Sequence, residues 1–166
     1  MRSGTRAMAV CAMTAALSVV VMLLGAVLEL GMYAAPLFAG LCFIPVGWRF
    51  GRKYHVMLYV VSSVLCFLLV PNVEENLMLA GLFGWYPIVR PWLQKLPKFL
   101  RLPLKLLVFN AAVIAVEALV LLVLVPESLG SVLLWIMLAL GNVTFLLYDI
   151  LIPRMTVLLD NVLKRG

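Results

Sequence analysis

The 166-residue chain is 66% hydrophobic and only 12% charged, with a net charge of +6 and a mean hydropathy of +1.17. Soluble globular domains are nearer half apolar and a quarter charged, so this composition excludes an ordinary soluble domain and predicts a membrane protein. The basic residues lie between apolar runs, which favours membrane orientation and contact with anionic lipid over nucleic-acid binding.

Six apolar segments follow one another, and together they predict one all-α domain over residues 1–166, a polytopic six-transmembrane-helix bundle. The predicted spans cover residues 7–28, 33–48, 56–70, 77–89, 102–125 and 131–152. The second is short, and Pro36 and Pro45 predict an irregular helix there. His55 is expected in the loop before the third span. Trp85 and Tyr86 are expected to anchor the fourth span at the membrane interface.

The basic residues all fall on one side of this arrangement. Two of the 13 Lys and Arg residues precede the first span, 3 follow the second, 5 follow the fourth and 3 follow the sixth. The loops predicted on the other side carry Glu29, Glu74, Glu75 and Glu127 and no base. Because Lys and Arg are retained on the cytoplasmic side, we expect a multi-pass protein of the cell membrane with both termini cytoplasmic.

The most basic stretch is the connector between the fourth and fifth spans, residues 84–110. We expect it to lie along the inner interface, either as an ordinary loop or as a docking site for a cytoplasmic partner. Pro97 and Pro103 are expected to limit any continuous helix there. Asp149, near the inner end of the sixth span, is expected to pair with Arg154 or with bases of the connector.

Four polar residues are candidates for binding a ligand near the outer face. Glu117 lies within the fifth span, where an ionisable side chain should face the bundle interior or a wet cavity. Asn142 lies near the middle of the sixth span, and Asn72 and Glu74 lie in the turn-like stretch at residues 71–76, which also offers Glu75 and Asn76. The alternatives are a structural glutamate at Glu117 and a solvated turn at residues 71–76.

Small residues recur along the first span, at Ala7, Cys11 and Ala15 and again at Ala12 and Ala16. Spacing of four places such residues on one helical face and lets another helix approach closely. The face of Ala12 and Ala16 is therefore a candidate for docking to a separate subunit, with packing inside the bundle as the alternative.

No motif in the sequence indicates catalysis or a cofactor. Cys11, Cys42 and Cys66 lie far apart in apolar segments, and no CxxC pair, Cys/His cluster, phosphate loop, HExxH or GxSxG is present. We therefore expect no enzymatic activity, no metal site and no cofactor.

The base before the first span, followed by AMTAALSVV at residues 12–20, resembles the start of the substrate-binding (S) components of bacterial energy-coupling factor (ECF) transporters. The length, the six expected spans and the basic mid-chain connector are similar too. The segments FGWYPIVR and KLLVFN also resemble a set of uncharacterised bacterial membrane proteins.

The resemblance implies a six-helix bundle that binds a vitamin or similar micronutrient near the outer face. It also implies docking, through Ala12 and Ala16, onto a transmembrane coupling subunit with two cytoplasmic ATPases. The alternative is a non-transporting scaffold or accessory protein of a bacterial cell-envelope complex, similar to the MreD-type cell-shape scaffold, in which the bundle interior would be filled.

Overall fold

The computed structural model describes residues 2–28, 33–123 and 131–165, and these ranges are helical with short turns and no strand. The elements in chain order are α1 (Arg2–Leu28), α2 (Ala34–Phe50), α3 (Arg52–Leu69), α4 (Val73–Met78), a π-helical segment (Leu79–Phe83), α5 (Tyr86–Leu93), α6 (Lys98–Val123) and α7 (Ser131–Arg165). The expectation of an all-α architecture is confirmed.

Four helical stretches within these ranges are long and apolar enough to cross a membrane. They are Gly4–Leu28, Arg52–Leu69, Phe99–Val116 and Leu138–Asn161. The second predicted span corresponds to the shorter apolar helix α2, and the fourth is divided among α4, the π-helical segment and α5. These lengths and compositions support a membrane protein.

The shortest of the apolar helices, α2, lies at the centre of the bundle. It contacts α1, α3, α4, α5, α7 and the π-helical segment. Most of its side chains are buried: Ala35, Pro36, Leu37, Ala39, Gly40, Leu41, Phe43, Ile44 and Val46. The expected irregularity is absent, since α2 continues through Pro45 as one helix. Its small residues let the neighbouring helices approach closely.

A one-residue turn joins α2 to α3. Gly51 has a φ of 90°, a conformation that side-chain-bearing residues rarely adopt, and it ends α2 and caps α3. Because α3 begins immediately after this turn, His55 is the fourth residue of the helix and is buried. The placement of His55 in a loop is therefore wrong.

The stretch at residues 71–76 is also more ordered than a turn-like loop, because α4 begins at Val73. The π-helical segment that follows leaves carbonyls open to side-chain donors. Tyr59 donates to the Ala80 carbonyl at 2.7 Å, and Tyr148 donates to the Phe83 carbonyl at 2.7 Å. Side chains from α3 and α7 thus fix the widened turn to the rest of the bundle.

The connector is largely helical, contrary to expectation. Helix α6 begins at Lys98 and continues through Pro103, which lies in its second turn. A proline this close to a helix start removes one hydrogen bond from the least constrained part of the helix. Tyr86 is fully buried instead of anchoring at the interface, and its ring packs against Phe145 with centroids 4.9 Å apart.

Candidate functional site

The start of α4 carries a buried carboxyl group at the end of the bundle opposite the connector. The Asn72 side chain caps the helix by accepting from the Glu75 amide at 3.4 Å. Its amide nitrogen donates to Glu75 Oε1 at 3.0 Å. The polar pair formed here is therefore Asn72 with Glu75, whereas the sequence suggested Glu74.

Glu75 is only 1% exposed. Its second oxygen, Oε2, is buried and has no hydrogen-bond partner among the described residues. A Cβ placed on Gly25 would lie 3.4 Å from this oxygen, so the carboxyl group points at the crossing of α1 with α2.

Asn76, the next residue in the sequence, has a second buried oxygen without a hydrogen-bond donor within the described ranges. It is 1% exposed, and its amide nitrogen donates to the Val70 carbonyl at 2.9 Å. Its Oδ1 is buried and has no partner in the described part of the protein. Both unsatisfied atoms of α4 are thus oxygens, which a group carrying N–H or O–H donors would complement.

Asn142 lies elsewhere, between α6 and α7. Its amide nitrogen donates to Asn110 Oδ1 at 2.9 Å and to the Leu138 carbonyl at 2.8 Å. Its own Oδ1 is buried and lacks a partner among the described side chains. The nearby rings of Phe109 and Phe145 stack with centroids 4.8 Å apart. Asn142 therefore joins two helices and retains one open acceptor.

The other predicted binding residues have different outcomes. The Glu74 side chain is half-buried, and no hydrogen bond or ion pair of it is described. Glu117 lies in α6, but its side chain is outside the described residues. Asn72 and Asn142 take part in separate hydrogen-bonded pairs.

Helix α1 uses its two rows of small residues differently. Ala7, Cys11 and Ala15 are buried, since this face packs on α2 and α3. Ala12 and Ala16 are exposed. The internal-packing alternative thus applies to the first row, and the second row lies on the outside of the bundle.

A charged network lies at the connector end. Asp149 accepts from Tyr86 Oη at 2.7 Å and from Arg90 Nε at 2.8 Å through one oxygen. Through the other it accepts from Lys105 Nζ at 2.6 Å. The expectation that connector bases pair with Asp149 is confirmed, whereas the alternative partner Arg154 is exposed.

Sequence reasoning included Glu75 in the polar stretch at residues 71–76 but did not identify it as the buried member of the Glu74–Glu75 pair. The signal that could have found it is helical register, because Glu75 continues a buried row through Leu79, Leu82 and Tyr86. A loop has no helical register, so the interpretation of residues 71–76 as a loop gave no reason to include Glu75 in this buried row. The described residues contain no group of three or more His, Cys, Asp or Glu side chains able to hold a metal ion.

No protein-family model, curated protein or solved structure matches the chain.

Proposed function

We propose that the chain crosses the cell membrane six times with both termini on the cytoplasmic side. The support is the charge distribution, with 13 bases assigned to one side, together with the four long apolar helices. Helix α2 and the broken segment from α4 to α5 supply the remaining two crossings. Labelling of single cysteines introduced at positions 3 and 166, from each side of the membrane, tests the orientation.

Within this arrangement the proposed function is that of a membrane-embedded binding subunit for a small micronutrient, of the ECF S-component kind. The observation that carries the proposal is the buried Glu75 carboxyl with its open Oε2, near the outer end. Placing an ionisable group at a buried position in a membrane protein costs free energy, and such groups commonly mark functional sites. A ligand with a protonated amine or N–H donors would satisfy this oxygen and favour its charged form.

The exposed row of Ala12 and Ala16 supports a second element of the proposal, docking to other subunits. Close helix approach needs small side chains that are not already used inside the bundle, and these two meet that condition. The proposed partners are a transmembrane coupling subunit with cytoplasmic ATPases, which would supply the energy for uptake.

Replacing Glu75 with Gln is expected to lower ligand binding about tenfold, because the charged acceptor for a donor-rich ligand is lost. The measurement is mass spectrometry of small molecules that co-purify with the chain from its native membrane in mild detergent. Glu74→Gln is the matched control and should retain the ligand. Equal retention by the two variants would exclude Glu75 from the site.

Replacing Ala16 with Leu is expected to abolish co-purification of a coupling subunit while the chain stays folded, since the side chain is exposed. Replacing Ala15, which is 3% exposed, with Leu should instead destabilise the chain itself by overpacking. Gel filtration separates the two effects. A complete complex with Ala16→Leu would contradict docking through this face.

A scaffold of a cell-envelope complex is the second candidate, and the packing at the connector end favours it. There the interior is filled by large buried rings: Phe43, Phe83, Tyr86, Phe109, Phe145 and Tyr148. Such a core leaves no room for a ligand between these rings. Recovery of cell-wall proteins with no small molecule in the same purification would favour the scaffold.

A further inference from the structure

A cleft of about 260 Å³ lies at the connector end, away from Glu75. Its walls come from α2, α3, α5 and α7, and its polar lining consists of Arg52, His55, Arg90 and Thr156. Trp48 and Ile44 contribute apolar surface. No Asp or Glu lines it, so the cleft combines two guanidinium groups with an imidazole and a hydroxyl.

The charge beneath the cleft is unbalanced. Arg90 and Lys105 share the single carboxylate of Asp149, and their side chains are only 12% and 7% exposed. Two buried cations with one anion leave one positive charge without a partner in this network. Because charges removed from water need compensation, the network favours an additional anion nearby.

His55 gives an independent sign that the cleft is built for a polar ligand. It is 6% exposed, and its Nε2 is buried without a hydrogen-bond partner among the described residues. A Cβ on Gly47 would collide with its Nδ1, so a glycine at this position makes space for the ring. His55 also lines the cleft, and a neutral imidazole carries one N–H group that can donate a hydrogen bond.

Arg52 remains accessible above these buried groups. It is exposed, and its guanidinium lies over the Trp92 ring, 4.4 Å from the centroid. Stacking fixes the plane of the guanidinium while leaving its N–H edge available for an oxyanion. Arg52 is also the first residue of α3, and the positive end of that helix's dipole lies here. The first turn of α3 carries no acid that would offset this positive charge.

We propose that this cleft binds a phosphate group, with Arg52 and His55 as donors and the Arg90–Lys105 excess charge as the attracting field. Planar guanidinium groups match phosphate oxygens through paired hydrogen bonds. The phosphate can belong to the headgroup of an anionic lipid or to a soluble phosphate. This site is separate from the proposed outer ligand site and does not depend on it.

The test compares Arg52→Gln with Arg49→Gln in the full chain. Arg49 is the matched control, because it lies at the same end of the bundle, is exposed and does not line the cleft. Each protein is placed in phosphatidylcholine nanodiscs containing about 10% phosphatidylglycerol, and retained lipid is counted by native mass spectrometry. Thermal unfolding in detergent is followed separately with added inorganic phosphate.

We expect Arg52→Gln to lower phosphate affinity about tenfold and Arg49→Gln to change it less than about twofold. Loss of retained phosphatidylglycerol without protection by inorganic phosphate would identify a lipid headgroup. Protection of the wild type by inorganic phosphate, lost in Arg52→Gln, would identify a soluble phosphate. The proposal is overturned when Arg52→Gln and Arg49→Gln match the wild type in both measurements.

Discussion

Replacing Asp149 with Asn is expected to destabilise the folded chain by about 3 kcal/mol. The carboxylate is the shared acceptor for Arg90, Lys105 and Tyr86, and the amide keeps its shape but loses its charge. Two cations are then left in a poorly solvated site without an anion. This loss of stability is at the lower end of the range for breaking a buried ion pair, because the Asp149 side chain is 19% exposed.

Lys105→Met is the comparison that separates the effect of uncompensated charge from the effect of a lost hydrogen bond. It breaks the same 2.6 Å hydrogen bond to Asp149 but leaves a neutral Arg90–Asp149 pair and keeps the side-chain volume. We therefore expect it to cost less than about 1 kcal/mol. Asp160→Asn, on the same helix, controls for the loss of an acid and should change stability by under about 0.5 kcal/mol.

The free energies of unfolding of these variants can be measured by titration with dodecyl sulfate in mixed micelles. Similar losses for Asp149→Asn and Lys105→Met would show that the hydrogen bond, not charge compensation, determines stability here.

The Asp149 network was predictable because it depends on the positions of charged residues along the sequence. An acid near the inner end of a span, with bases concentrated in one connector, has few alternative partners at that depth. The sequence did not discriminate between Arg154 and the connector. Arg154 is five residues beyond Asp149 on the same helix, and it is exposed in the folded chain.

The polar site at the start of α4 was predictable only in kind. The acidic, asparagine-containing stretch at residues 71–76 was expected to bind a ligand, but its buried acid is Glu75 and not Glu74. Which of two adjacent residues faces inward depends on helical register, and register was lost when the capping of α4 by Asn72 was not recognised. His55 was misplaced for a similar reason, since the turn at Gly51 is a single residue.

Hydropathy also could not identify which helix is central. It assigned spans from apolar composition, and α2 is shorter than the four apolar helices that are long enough to cross a membrane. Central position instead depends on how closely other helices approach, and in α2 this depends on small residues at particular contacts. Gly40 is the clearest of these contacts.

Replacing Gly40 with Ala is expected to destabilise the chain by about 2–4 kcal/mol. The new Cβ would lie 2.6 Å from the Tyr148 hydroxyl and 2.7 Å from the Phe83 carbonyl oxygen. These two atoms form the 2.7 Å hydrogen bond that joins α7 to the π-helical segment. The methyl group must therefore displace backbone or break a buried hydrogen bond, and both outcomes are costly.

Gly4→Ala is the matched control, because its Cβ would meet only the Tyr54 hydroxyl at 3.8 Å. It should leave stability unchanged or raise it by up to about 1 kcal/mol through helix propensity. Tyr148→Phe removes one of the two obstacles at Gly40. The losses from Gly40→Ala and Tyr148→Phe should therefore be less than additive in the double variant, since both disrupt the same hydrogen bond. Strict additivity would mean that α2 does not approach the π-helical segment at this point.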